Sequence, residues 1–221
     1  KEYAALWKLL TPTHPYGTQT TIGEQEHLKN PSIVNIKNYF HRYYVPNNVA
    51  IVLAGDFNPD ETIAIIDKYF GQWKPSTNLT RPEFPAQSKI TTQRDTTVVG
   101  QDAENLMMAW RFKGENDMQS DTLDLVRHLL YNGQAGLIDI NLLQPMKVQD
   151  VGVDFDGLHD YSAFIIEASP LHGQTLQQVK KLLLEQINKL ARGEFSNQLL
   201  PAVMANKKLH HAEGILLHLS R

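Results

Sequence analysis

The sequence predicts an α+β protein of two lobes, each built of mainly antiparallel sheet with helices packed on one face. Three observations predict it. Helical and strand patterns alternate through the first seventy or so residues. A segment with three prolines and no helical period follows, from Lys74 to Asp95. Beyond it the apolar, strand-like runs come in neighbouring pairs joined by turns, which favours antiparallel sheet over a doubly wound parallel one.

Taken in order, YAALWKLL directly after Lys1 reads as the apolar end of a helix, and a chain that opens this way without methionine reads as a piece of a longer one. HPYGTQTTIG, from His14 to Gly23, is rich in turn residues. Asn30 and Pro31 suit a cap and first position for a helix over 31–44, in which Ile33, Ile36, Phe40 and Tyr43 share a face. NVAIVLAGDF is apolar, β-branched and short, so it reads as a buried strand. Asn58 and Pro59 open another helix, which Gly71 ends. Past the proline-rich segment, TTVVG and NLMMAWRF read as strands, and SDTLDLVRHLLYN as a helix opened by Ser120. GVDFDGLHDYSAFIIEAS reads as a strand pair. A helical stripe of Leu176, Val179, Leu183, Ile187 and Leu190 runs to Gly193. A last helix follows Ser196, with Pro201 at its first turn or at a kink.

Composition narrows the function classes. The 221 residues are 42% hydrophobic and 20% charged with net charge -3, a balance with no field to recruit nucleic acid or anionic lipid. There is no cysteine, hence no disulfide, no thiolate nucleophile and no cysteine metal site. Apolar runs such as AIVLAG fall far short of the ~20 residues that span a bilayer.

Nine histidines invite a search for metal ligands. His210, His211, Glu213 and His218 form the densest group, and an inverted zinc motif, His-x-x-Glu-His, would begin as His210 and Glu213 do. Gly214 occupies the position of its last histidine and supplies no ligand, so the group reads as a polar helix face. His14, His27 and His41 share no ligand spacing. Asp154 and Asp156 lie on one face of a strand, a pattern common on solvated sheets. The run NGQAGLI, Asn132 to Ile138, is too short to cradle phosphates and reads as a helix-breaking turn. No nucleophile elbow, phosphate loop or dinucleotide fingerprint occurs.

One combination is more specific than these. HPYG, an Ile-Gly shortly after it, YY-x-PNN, a run ending in Gly-Asp and then IAIIDKYFGQW resembles the insulinase/pitrilysin family of zinc metallopeptidases, and within it the two-domain bacterial zinc proteases akin to the mitochondrial processing peptidase. NLMMAWRF, NGQAGLI and KLARGEF continue the resemblance.

The resemblance implies a metallopeptidase-chamber fold with an incomplete first lobe. Residues 1–74 would be the carboxyl-terminal part of a catalytic-type domain, 75–95 a linker and 96–221 a paired, non-catalytic domain. In that family a His-x-x-Glu-His motif and a distal glutamate hold zinc, and both come before the HPYG segment. No His-x-x-Glu-His occurs in these 221 residues, and Glu2 is too poorly placed to be claimed as the distal glutamate. Zinc is therefore expected in a full-length parent and not on this segment, which carries no catalytic or metal residue. His14 is expected to pack or hydrogen-bond within a turn. Gly133 and Gly136 stand where related enzymes carry a glycine-rich loop facing the substrate chamber, although the serine and arginine common there are absent.

The implied function is a segment of a zinc endopeptidase acting on peptides or unfolded polypeptides. Its partners would be that substrate, the upstream half of the catalytic domain and a second two-domain unit. The alternative is a non-catalytic, peptide-binding paralogue or partner subunit of the same fold.

Overall fold

A computed structural model describes residues 1–19, 22–23 and 25–219, with side chains described through residue 209. Two compact units divide the chain: residues 1–10 with 93–221, and residues 11–92.

The first unit holds the sheet. Strands β1 (Leu106–Lys113), β2 (Asp150–Gly157) and β3 (Tyr161–Ser169) pair antiparallel in the order β1-β3-β2. The register sets Trp110 and Phe155 on either side of Phe164, and Met108 and Val153 on either side of Ile166. Alternation along each strand sends Val151, Val153, Phe164, Ile166 and Ala168 to one face. Two helices cover that face, α6 (Gln119–Leu130) and α7 (Leu176–Ala191), bringing Leu130, Val179 and Leu183 into the core. Each such fully buried Leu or Val contributes about 1.5–3 kcal/mol by leaving water. β3 reads as an almost unbroken apolar run because it is central and buried on both faces: Ala163 and Ile165 on its second face are also buried.

Helix α1 (Glu2–Leu10) lies along that second face and buries Leu6, Trp7 and Leu10. Polar groups fix it there. Arg111 Nη1 donates to Leu10 O at 2.5 Å, Arg94 Nη1 to Leu9 O at 2.8 Å, and the Tyr3 hydroxyl to Asp156. Two arginines thus satisfy carbonyls that the helix end leaves open. α7 begins with a capping box, in which Thr175 and Gln178 each bond the other's backbone. α8 (Leu199–Leu219) carries Pro201 in its first turn, where a missing N–H costs nothing.

The described residues of the second unit form helices α2 (Pro15–Thr18), α3 (Gln25–Lys29), α4 (Ile33–Tyr43) and α5 (Pro59–Phe70), with a 3₁₀ turn at Pro46–Asn48. Asn58 caps α5 by accepting from Asp60 N at 3.0 Å and Glu61 N at 3.4 Å, as its pairing with Pro59 predicts.

Several expectations change. Residues 49–57 form no strand, and Ile51, Val52 and Leu53 are exposed. A strand exists only where a neighbour completes its hydrogen bonds, and among the described residues none lies beside this run. TTVVG is likewise outside the sheet. α4 is capped by Ser32, whose Oγ accepts from Asn35 N at 3.2 Å, rather than by Asn30. Ser120 sits inside α6, whose first turn is instead served by Asp117 Oδ1, accepting from Gln119 N at 3.0 Å.

Candidate functional site

The Asn132–Gly136 loop is the best-organised irregular segment of the first unit, and its order comes from two side chains. α6 ends at Leu130, and Tyr131 turns to extended backbone while its N–H still bonds Arg127 O. Asn132 then works in both directions. Its Nδ2 donates back to His128 O at 3.0 Å, and its Oδ1 accepts from Gln134 N at 3.1 Å and Ala135 N at 2.9 Å. The Asp139 carboxylate, only 3% exposed, closes the loop from below, accepting from Asn132 N at 3.0 Å and Gly136 N at 2.9 Å. Two charge-assisted hydrogen bonds offset the cost of burying that carboxylate. Asp139 opens a π-helical turn, Asp139–Leu143, anchored by Asn141 Nδ2 donating to the buried Gln186 Oε1 at 2.8 Å.

The two candidate glycines differ. Gly133 has φ +79°, a left-handed conformation that L side chains resist, and the space where a Cβ would stand is open. Gly136 is buried, and a Cβ there would lie 2.6 Å from Leu130 O. Close packing against the end of α6 is therefore reason enough for glycine at 136. Asn132 and Asp139 were not singled out by motif, although an Asn-Gly pair is a known turn signal.

Beside this loop, α6 and α8 enclose a recess of about 310 Å³, with Arg127, His128, Tyr131, Gly133, Val203 and Lys207 among its walls. Asp124 ties the two helices together. Arg127 Nε and Nη2 donate to its Oδ1 at 3.1 and 3.0 Å, and Lys207 Nζ donates to its Oδ2. Burial pushes the Asp124 carboxyl up, but the hydrogen bonds and charges of Lys207 and Arg127 outweigh it and hold the group below the ordinary carboxylate range. His128 Nδ1 stands 2.8 Å from Asp124 O, a carbonyl that can only accept, so Nδ1 carries the proton and Nε2 accepts from Arg127 Nη2 at 3.2 Å.

The remaining candidates have settings of their own. His14 is 2% exposed and caps α2, its Nδ1 accepting from Tyr16 N at 3.3 Å, with edge-on rings of Tyr16 and Phe84 at 4.3 and 5.2 Å. It packs and caps, as its setting in HPYG predicts. His27 and His41 sit exposed on α3 and α4. Asp156 is occupied by Tyr3, whose phenol is pushed up by burial and by that carboxylate. Glu2 accepts from Asn105 Nδ2 at 3.2 Å. The side chains of His210, His211, Glu213 and His218 lie outside the described residues. Among the described residues no three His, Asp or Glu side chains converge in a way that could hold a metal. No helix searched is long and apolar enough to cross a membrane.

Residues 33–207 match the family described as the peptidase M16 inactive domain. This chain belongs to that family. It is similar to the zinc protease PqqE of Helicobacter pylori, 23% identical over 202 residues that cover 88% of this chain and 45% of that protein. It is also similar to the uncharacterized zinc protease YmxG of Bacillus subtilis, 27% identical over 180 residues, 77% of this chain and 41% of the other. The M16 chain thus spans less than half the length of these two relatives. Its fold matches the crystal structure of the periplasmic protease PqqL from Escherichia coli with a TM-score of 0.73 at 14% identity, over 100% of this chain and 25% of that one. Helices with a small antiparallel sheet are what the α+β prediction required.

Proposed function

We propose that this M16 chain is the wall-forming segment of a zinc-dependent endopeptidase, one that encloses peptides or unfolded polypeptides in a chamber and supplies no zinc ligand. The observation that carries the reading is the pairing of a match to the M16 inactive domain with the absence of any His-x-x-Glu-His in the sequence. The named relatives are zinc proteases, and this chain corresponds to less than half of each. Zinc and the general base would then come from upstream residues of the parent. Residues 1–74 would complete a catalytic-type domain and 96–221 form its paired domain, with 75–95 between them. Gly133 would present bare backbone to the chamber, with Gly136 holding the loop against α6.

The test is a full-length parent that contains the upstream motif, offered a panel of unstructured peptides. Cleavage that a chelator abolishes supports the endopeptidase. Bound zinc with no peptide cut refutes it and leaves the peptide-binding subunit of the same fold. The isolated 221-residue chain is expected to hold no stoichiometric zinc by metal analysis. One zinc per chain, lost on His210→Ala, would overturn that expectation.

A further inference from the structure

The recess between α6 and α8 has more hydrogen-bond donors than its own carboxylate uses. Asp124 takes Nε and Nη2 of Arg127 and one bond from Lys207. That leaves Nη1 of Arg127, the remaining protons of the Lys207 ammonium, the Asn206 amide and the Tyr131 hydroxyl, none of which has a hydrogen-bond partner among the described residues. Two cations share one anion, so a unit of positive charge is left over in a site that Val203 and the Tyr131 ring make partly apolar. Gly133 opens one side of it, since nothing lies within 4 Å of the point its Cβ would occupy. The floor is preformed, because Asn132 and Asp139 already hold the loop.

We propose that this recess binds the carboxyl-terminal end of a peptide: the terminal carboxylate on Arg127 and Lys207, and the last side chain against Val203 and Tyr131. A volume of about 310 Å³ suits one terminal residue rather than a folded partner. A guanidinium and an ammonium from two different helices can grip the two oxygens of one carboxylate, as charge-assisted hydrogen bonds. Asp124 acts as an internal stand-in, keeping both cations in place while the site is empty. The inference deepens the peptide-binding reading of this chain, but it is measured by binding alone, so a failure to cut peptides and a failure to hold this carboxylate are separate results.

The experiment titrates the 221-residue chain with N-acetylated alanyl-alanyl-leucine, following the Gly133 amide resonance. The same peptide with an amidated end is a second arm, and an amidated peptide carrying one glutamate side chain is a third. The free acid is expected to shift Gly133 and to bind more weakly as salt rises, and the amide is expected to do neither. Replacing both cations, Arg127→Gln with Lys207→Gln, should weaken binding by about tenfold or more, with the helical circular dichroism retained. Asp124→Asn removes the competing carboxylate and should tighten binding, a gain that misfolding cannot imitate. Equal binding of the amidated peptide, equal binding of the glutamate peptide, or a loss with Asp124→Asn as large as with the double variant would each overturn the proposal.

Discussion

Two stretches of this chain carry comparable apolar patterning and end in different states. Around β1–β3, apolar residues at strand and helix spacing meet, and Ile138, Leu142, Ile166, Val179 and Leu183 are fully enclosed. In residues 11–92 the spacing is as regular, yet Ile33, Ile36 and Phe40 on α4, and Ile63 and Phe70 on α5, stay substantially exposed. The difference teaches that periodicity specifies a face and burial requires something to set against it. Three paired strands supply that surface in one unit. In the other, the run AIVLAG belongs to no strand, and among the described residues no paired strand stands beneath the helices.

Hydrogen exchange should show this contrast most strongly. Backbone amides of β3, paired on both sides, are expected to exchange at least about 10³-fold more slowly than those of residues 51–53, which lack any ladder. Comparable protection in the two segments would break the comparison. Cavity-forming substitutions should come next. Leu183→Ala, at a fully buried site, is expected to cost about 2–5 kcal/mol in denaturant unfolding, whereas Ile63→Ala should stay within about 0.5 kcal/mol. The two loop glycines refine the picture within the first unit. Gly136→Ala forces a methyl against Leu130 O and should cost about 1–3 kcal/mol, more than the ~1 kcal/mol that backbone conformation alone charges to Gly133→Ala. Thermal unfolding of the two variants would order them.

Among the described residues of the second unit no apolar side chain is fully buried, and its caps should register accordingly. Asn58→Ala, which strips the first turn of α5 of its acceptor, is expected to lower helix content with a cost of about 1 kcal/mol. The smallest effect is acid sensitivity. The pKa of Asp124 is depressed in the folded chain, so its contribution to stability is present above the unfolded value of about 3.9 and is lost as pH falls through the folded one. Asp124→Asn should therefore flatten the acid limb of the stability profile while leaving its slope near neutrality unchanged. An unchanged acid limb would mean that Lys207 and Arg127 do not favour the charged form.

Much of this was legible in the residues. Asn58-Pro59 marked a helix start, the stripe from Leu176 to Leu190 marked α7, and GVDFDG with YSAFIIEAS marked a strand pair, because caps and periodicity act within a few residues of themselves. The HPYG turn was legible for the same reason, with His14 bonding a backbone N–H two residues away. NVAIVLAGDF was not: its composition suits a strand, but a strand is completed by another segment's hydrogen bonds. Asn132 and Asp139 were missed as a pair because their joint grip on the loop appears only when α6 ends and the π-helical turn begins at one place. The recess is further still from sequence reading. Arg127 and Lys207 stand eighty positions apart, and only the packing of α8 on α6 sets both against Asp124. Sequence by itself determined the longer helices, the central strand and the absence of a His-x-x-Glu-His run, all matters of local pattern, while the short helices α2 and α3 were read as turn and loop. Tertiary structure decided which apolar faces found a partner and which cations met, because burial and charge pairing depend on distances that the order of residues does not contain.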